Sequence, residues 1–326
     1  MADPTLLETG VSEPSETPTV QALRSKSPTQ IALERLRSDK VAIICGIIVL
    51  FFVLIALLAD VITKVTGTNA FTFHQELIDA YGFPKVNPSL QHPFGIEPRL
   101  GRDLFARWVD GSRPSLIIAT SASLIATMIG TTAGLVAGFL GGWADRVISW
   151  IIDLLLALPL LLFVIAIAPV VQSYFSDEDT TVSKVRLWSL VAIFALFGWT
   201  ALGRLIRAQV LSLREREFVQ AARAIGVPTR QILFRELLPN LVGPIIVFLS
   251  LSIPGYIAAE AGLSFLGVGL IEPTPSWGRT IQSATNYYET YPIYFWQPAV
   301  AILVLVLALN LLGDSIRDAF DPQTRR

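Results

Sequence analysis

Cysteine, histidine and lysine are all scarce in this 326-residue chain, and each scarcity removes a class of function. Cys45 stands alone inside an apolar run, so no disulfide or cysteine metal centre can form within one chain. His74 and His92 are the only histidines; they form no His-Glu-x-x-His pair and are too few for a histidine-rich metal site. None of the five lysines follows a glycine, so the Gly-x-x-x-x-Gly-Lys-[Ser/Thr] phosphate loop is missing. No Gly-x-Ser-x-Gly elbow occurs either. A membrane-embedded enzyme is poorly supported on these grounds, and no cofactor is expected. Charge is sparse as well: 16% of residues, against about 25% in soluble domains. The net charge of −1 supplies no field that would draw nucleic acid.

What the chain has instead is apolar length. Hydrophobic residues make up 52%, and runs without any charge cover 41–59, 114–144, 154–176, 187–203, 237–259 and 291–313. A bilayer-spanning helix needs about 20 mostly apolar residues, and five runs reach or nearly reach that length. The short run at 187–203 is extended by Arg204 and Arg207, whose stems can snorkel. The reading is an all-α membrane protein with six transmembrane helices, at 41–63, 114–140, 147–170, 187–207, 241–262 and 291–314. With the N-terminus inside, 16 of the 25 basic residues fall on the inner side, and six of the nine outside belong to one long loop. Basic residues favour the cytoplasmic side, so both termini and the 208–240 segment are expected there. The loops 64–113 and 263–290 are then external, and 315–326 is a cytoplasmic tail. Residues 1–27, rich in Pro, Ser, Thr and Glu, read as a disordered tail too long for a usual signal peptide. Residues 28–40 read as a candidate interfacial helix with a loose stripe of Ile31, Leu33 and Leu36.

Residues 217–240 form a charged, amphipathic island between two apolar runs. Phe218, Ala221, Ala222 and Ile225 recur at helical spacing. Gly226 suits a left-handed helix end, and Pro228 suits the first turn of a second helix. The segment thus reads as helix, sharp turn, helix, outside the bilayer. It resembles the EAA loop of ABC-importer permeases, with Ala221, Ala222, Gly226, Leu238 and Pro239 matching at the right spacing. Gln220 replaces the usual Glu, and Glu236 stands where an Ile is expected.

Further motifs point the same way. The stretch from His92 to Leu116 is similar to one preceding the second span of dipeptide and oligopeptide permeases. Gly101, Arg102, Asp103, Gly111, Arg113, Ser115 and Leu116 match, while Ile96 and Glu97 replace Thr-Asp. Local ion pairing among Arg102, Asp103 and Arg107 is expected to order this loop. Gly130, Gly134 and Gly138 recur every four residues in the second span, which lets two helix backbones approach closely in lipid. Asp153 and Glu260 are carboxylates within spans, expensive there and candidates for a gate or translocation role. Asp153 lies seven residues from Arg146, within reach of hydration or an ion pair near the inner surface. Glu260 opens a Glu-x-x-Leu-Ser-Phe-Leu-Gly and Pro-x-Pro-Ser-Trp-Gly pair of motifs, and Asn310–Pro322 also resembles the same permeases.

The resemblance spans about 28–322 and implies the second, shorter permease of the peptide/nickel class of ABC importers, with the ABC importer permease fold in a prokaryotic inner membrane. It further implies a homologous second permease, two ABC ATPase subunits, an extracytoplasmic substrate-binding protein and the surrounding lipid bilayer as partners. Gln220, Ala221, Ala222, Arg223, Ile225 and Gly226 would couple to the ATPase. Substrates of the class include dipeptides, oligopeptides, glutathione and nickel complexes. A secondary transporter would need several ionisable residues in its spans, and only Asp153 and Glu260 are present. A structural scaffold is separable by whether deletion abolishes uptake. The orientation has a direct test. Single cysteines at Ser89 and Thr229, in a Cys45→Ala background, are expected to react with an impermeant thiol reagent from opposite faces of the membrane. Labelling from one face would refute the arrangement.

Overall fold

The computed structural model describes residues 28–86, 88–173 and 179–321; the tail expected to be disordered, 1–27, falls outside them. Twelve α-helices account for nearly all regular structure among the described residues. They are α1 (Pro28–Ser38), α2 (Lys40–Leu57), α3 (Ala59–Thr66), α4 (Leu104–Leu140), α5 (Gly142–Ala157), α6 (Leu160–Ser173), α7 (Asp179–Leu213), α8 (Glu217–Ala224), α9 (Thr229–Gln231), α10 (Leu238–Phe265), α11 (Trp277–Ala284) and α12 (Pro292–Phe320). Five stretches are long and apolar enough to cross a membrane: 40–57, 104–140, 183–213, 229–265 and 292–320. A sixth exists if α5 and the start of α6 count as one broken span, bent by 79°.

Charge-free runs locate these helices but misplace their ends. α4 begins at Leu104, inside the loop expected over 64–113. Asp103 sets that start: its extended backbone precedes the first turn, and its carboxylate accepts from the Ala106 N–H at 2.7 Å. At 37 residues α4 is about 55 Å long, well beyond the roughly 30 Å hydrocarbon core, and Arg107, Asp110 and Arg113 all fall in its first three turns. α7 likewise runs from Asp179 to Leu213, outside both ends of the expected 187–207. The third span is not one straight helix over 147–170. Leu158 is extended (φ −87°, ψ 122°) before Pro159, which cannot donate a helical hydrogen bond and drives its predecessor out of the helical region.

The glycine stripe behaves as its spacing indicates. A Cβ on Gly130 would lie 2.7 Å from the Trp199 carbonyl oxygen, one on Gly134 2.7 Å from the Gly203 carbonyl oxygen, and one on Gly138 2.7 Å from Val210 Cβ. α4 and α7 therefore meet backbone to backbone along three turns. Around this contact sit two apolar clusters. One centres on Ile118, Ala122, Phe194 and Leu270, and the other on Leu135, Leu202, Ile206 and Val210.

α1 packs on the C-terminal end of α12 through Ala32, which is buried, and Arg35; of the apolar stripe, Ile31 and Leu33 are exposed and Leu36 is half-buried. The Arg35 Nη1 donates to the carbonyls of Ala319 at 3.4 Å and Asp321 at 3.1 Å, closing orphan acceptors at the helix end.

Gly134→Val would force a side chain into the α4–α7 contact, at a cost of about 1–3 kcal/mol by analogy with overpacked cores. A marked drop in thermal stability of the purified protein is expected. Gly46→Val, where a Cβ meets nothing within 4 Å, serves as the control and should change little.

Candidate functional site

The 217–240 segment folds as a helical hairpin at the end of α7. Arg216 is extended (φ −74°, ψ 147°) and precedes α8. Val219 is fully buried and, with half-buried Ala222 and Val227, packs on Leu135, Phe139, Ile206, Val210, Ile232 and Leu237. The opposite stripe stays bare: Phe218 is 41% exposed, Ile225 80%, and Ala221 between them is also exposed. Ala222 was expected to share that bare stripe; one residue on, it is rotated by about 100° onto the packed side. The Arg223 guanidinium lies 4.4 Å over the Phe139 ring, a cation–π contact that pins α8 to α4. The side chain of Gln220 donates to the Glu215 carbonyl at 3.1 Å.

The turn closes α8 by a Schellman motif. Gly226 is left-handed at φ +81°; its N–H donates to the Arg223 carbonyl at 3.0 Å, and that of Val227 to the Ala222 carbonyl at 3.0 Å. Pro228 then holds φ −59° and offers its carbonyl to Gln231 and Ile232, starting α9. α9 passes through a π-helical turn at Ile232–Leu237 straight into α10. The second arm of the hairpin is therefore the first part of a spanning helix, not the separate element expected within 208–240.

The two intramembrane carboxylates differ. Asp153 pairs with Arg204 of α7 at 2.7 Å, not with Arg146, because facing helices bring Arg204 closer than two turns of its own helix allow. Both side chains are more than half exposed on the protein surface, 69% and 57%. Arg207 binds Asp145 through both of its carboxylate oxygens nearby. Glu260 is wholly buried and accepts from Ser115 Oγ at 2.6 Å, Ser264 Oγ at 2.7 Å and Ser276 Oγ at 3.3 Å.

At the same end as Glu260 lies an ion cluster that sequence spacing does not reveal. Arg102 binds Glu97 (2.6 and 3.0 Å) and Glu272 (2.7 and 3.2 Å), and Arg107 reaches Glu272 at 2.8 Å. Tyr294 of α12 donates to Glu97. Asp103, expected to join Arg102 and Arg107, instead caps α4 and meets His92 Nδ1 at 2.7 Å. The partners Glu97, Glu272 and Tyr294 come from three separate segments.

Five candidate spans among the described residues, six if the bent pair counts as one, and a spanning helix continuous with an exposed hairpin fit a multi-pass membrane protein. Residues 130–326 match the family model for the binding-protein-dependent transport system inner membrane component. The chain belongs to that family. Residues 27–76 match the N-terminal TM domain of oligopeptide transport permease C. The permease is 39% identical to the glutathione transport system permease protein GsiD of Salmonella typhimurium (strain LT2) over 308 residues, 94% of this chain and 95% of the relative. It is 36% identical over 313 residues, 96% of each chain, to the dipeptide transport system permease protein DppC of Alkalihalophilus pseudofirmus. A Brucella ovis protein carrying a peptide permease name is 40% identical over 238 residues, 72% of this chain and 74% of the relative. The protein is a multi-pass membrane permease of the peptide-type ABC importers.

Burial would raise the Glu272 carboxyl, but Arg107 and Arg102 outweigh it and hold the group below its ordinary value of 4.5. A depressed folded-state pKa means that its share of stability is complete above 4.5 and is lost as pH falls through the lowered value. Protection of the 64–103 segment from protease is therefore expected to hold from neutral pH down to about 4.5 and to weaken below it. Glu272→Gln should begin less protected and show a shallower acid dependence. Equal acid profiles would count against the cluster.

Proposed function

We propose that this permease forms one half of a translocation path for di- and oligopeptides, and that the 217–240 hairpin couples it to a separate ATPase. The exposed stripe of Phe218, Ala221 and Ile225 on a firmly anchored α8 carries this reading. Two aromatic or aliphatic anchors flanking an alanine offer a partner's groove close approach, while Val219, Ala222 and Arg223 transmit the contact to α4, α7 and α10. A homologous permease completes the path, two ATPase subunits bind the hairpins, and an extracytoplasmic binding protein delivers substrate to the opposite face. Both termini and the hairpin are cytoplasmic in this arrangement, as the 16-to-9 split of basic residues supports. Closure of the ATPases would rock the spans from inward- to outward-facing. The relative named for glutathione aligns over 94% of this chain, which makes that tripeptide the second substrate to test.

Ala221→Glu places an unpaired charge in the docking stripe and should cost at least about 2 kcal/mol of association, roughly thirtyfold. Gly226→Val forces a β-branched residue into the left-handed region, straining the turn by about 1–2 kcal/mol. Both variants should insert normally yet lose ATPase binding and uptake, whereas Arg230→Gln should chiefly slow association. Uptake of labelled dipeptide, competed by glutathione, reads both coupling and substrate. Wild-type uptake by Ala221→Glu would exclude the hairpin as the coupling element.

A further inference from the structure

Between α2 and α12, in the half of the spans away from the hairpin, lies an open groove of about 710 Å3. That volume falls within the roughly 300–1,000 Å3 of small-molecule sites. Phe52 and Ala301, both buried, form its floor, while Phe51 of α2 and Trp296 of α12 stand on its two rims, 54% and 58% exposed. Where α4 begins, Phe94 meets Trp108 edge to face at 5.7 Å and closes one end. On α12 the lining runs from Ile293 to Val304. Eleven steps of 1.5 Å cover about 16 Å, the depth of one leaflet in a hydrocarbon core about 30 Å thick.

One polar side chain interrupts this apolar lining. Gln297 of α12 has both its Oε1 and its Nε2 buried, and neither meets a hydrogen-bond partner among the described residues. Buried amides are almost always paired, so this exception calls for a bond that the chain itself does not supply. Gln297 lies five residues inside the start of α12 at Pro292, about 7.5 Å along the axis, and therefore near the polar edge of the leaflet. Trp108 and Trp296, which share the groove, are of the residue type enriched at that level. The ester carbonyls of glycerolipids lie at the same depth, directly above their acyl chains. A packed helix fits the groove poorly. Helices associate in lipid through small residues that let backbones approach, whereas bulky Phe51 and Trp296 rise on facing rims here. A slender flexible chain can pass between them.

We propose that this groove is a binding site for one glycerophospholipid of the leaflet away from the hairpin. One acyl chain lies along it past Val300, and the ester carbonyl above that chain accepts a hydrogen bond from Gln297 Nε2. The terminal torsion of a glutamine is broad, so the amide can turn to meet the carbonyl. The site needs only the membrane setting of the permease and is independent of how the hairpin couples.

The test uses the full chain, purified with the subunits that accompany it and reconstituted in liposomes with a trace of photoreactive phospholipid. The reactive group sits in mid-chain, and the lipid is made in an ester-linked and an ether-linked form. Mass spectrometry of the irradiated protein should place the ester form's adducts on 47–52 and 293–304, in excess over Leu57, which is exposed on α2 outside the groove. The ether form lacks the acceptor carbonyl and should label the groove about fivefold less, the worth of one hydrogen bond. Gln297→Leu should erase that preference. Val300→Trp, which fills the groove, should abolish its adducts and spare those on Leu57. Equal labelling of the wild-type groove by the two forms would overturn the proposal, as would groove adducts that persist in Val300→Trp. Capture of another subunit, rather than lipid, by a photoreactive amino acid at position 300 would overturn it too.

Discussion

Everything in this permease hangs on the backbone contact between α4 and α7. In lipid, apolar side chains gain nothing by leaving solvent, so helices associate where packing is closest. Gly130, Gly134 and Gly138 provide that closeness, each facing a carbonyl or Cβ of α7. The same stretch of α7 presents Leu202, Ile206 and Val210 to the cluster that holds α8. The hairpin is therefore mounted on this closely packed pair of helices.

From that mount, motion at α8 has a defined route. Val219 and Ala222 bear on Ile232 and Leu237, which lie in the π-helical turn leading into α10. π-turns inside helices are common at functional sites, where an extra residue widens the backbone. α10 then carries through without interruption to Glu260 at its other end. One continuous 37-residue helical stretch, 229–265, thus has the hairpin turn at one end and the serine-ringed carboxylate at the other. No relay of separate elements is needed.

Much of this was legible in the sequence, because lipid imposes long apolar runs and the hairpin has unambiguous turn chemistry. The left-handed Gly226, the glycine stripe and the spans themselves followed from local residue types. What local reading missed were features fixed by distant partners. α4 starts at Leu104, where Asp103 caps it, and the charges of Arg102 and Arg107 that would otherwise mark a loop are met by Glu97 and Glu272 from distant segments. Asp153 meets Arg204 on a facing helix. Ala222 turned inward because Val219 and Val227 already faced the cluster. Hydrophobic spacing alone could not choose between two adjacent stripes of α8.

The clasp between Arg35 and the last carbonyls of α12 gives the described chain the character of a ring. Its first helix and its last are joined by hydrogen bonds at one spot, although 284 residues of sequence separate Arg35 from Ala319. α2 and α12, which also lie side by side, are thereby fastened at the end where the first and last described helices meet. Anything that binds α1 or the last turn of α12 would bear on the same corner of the described structure.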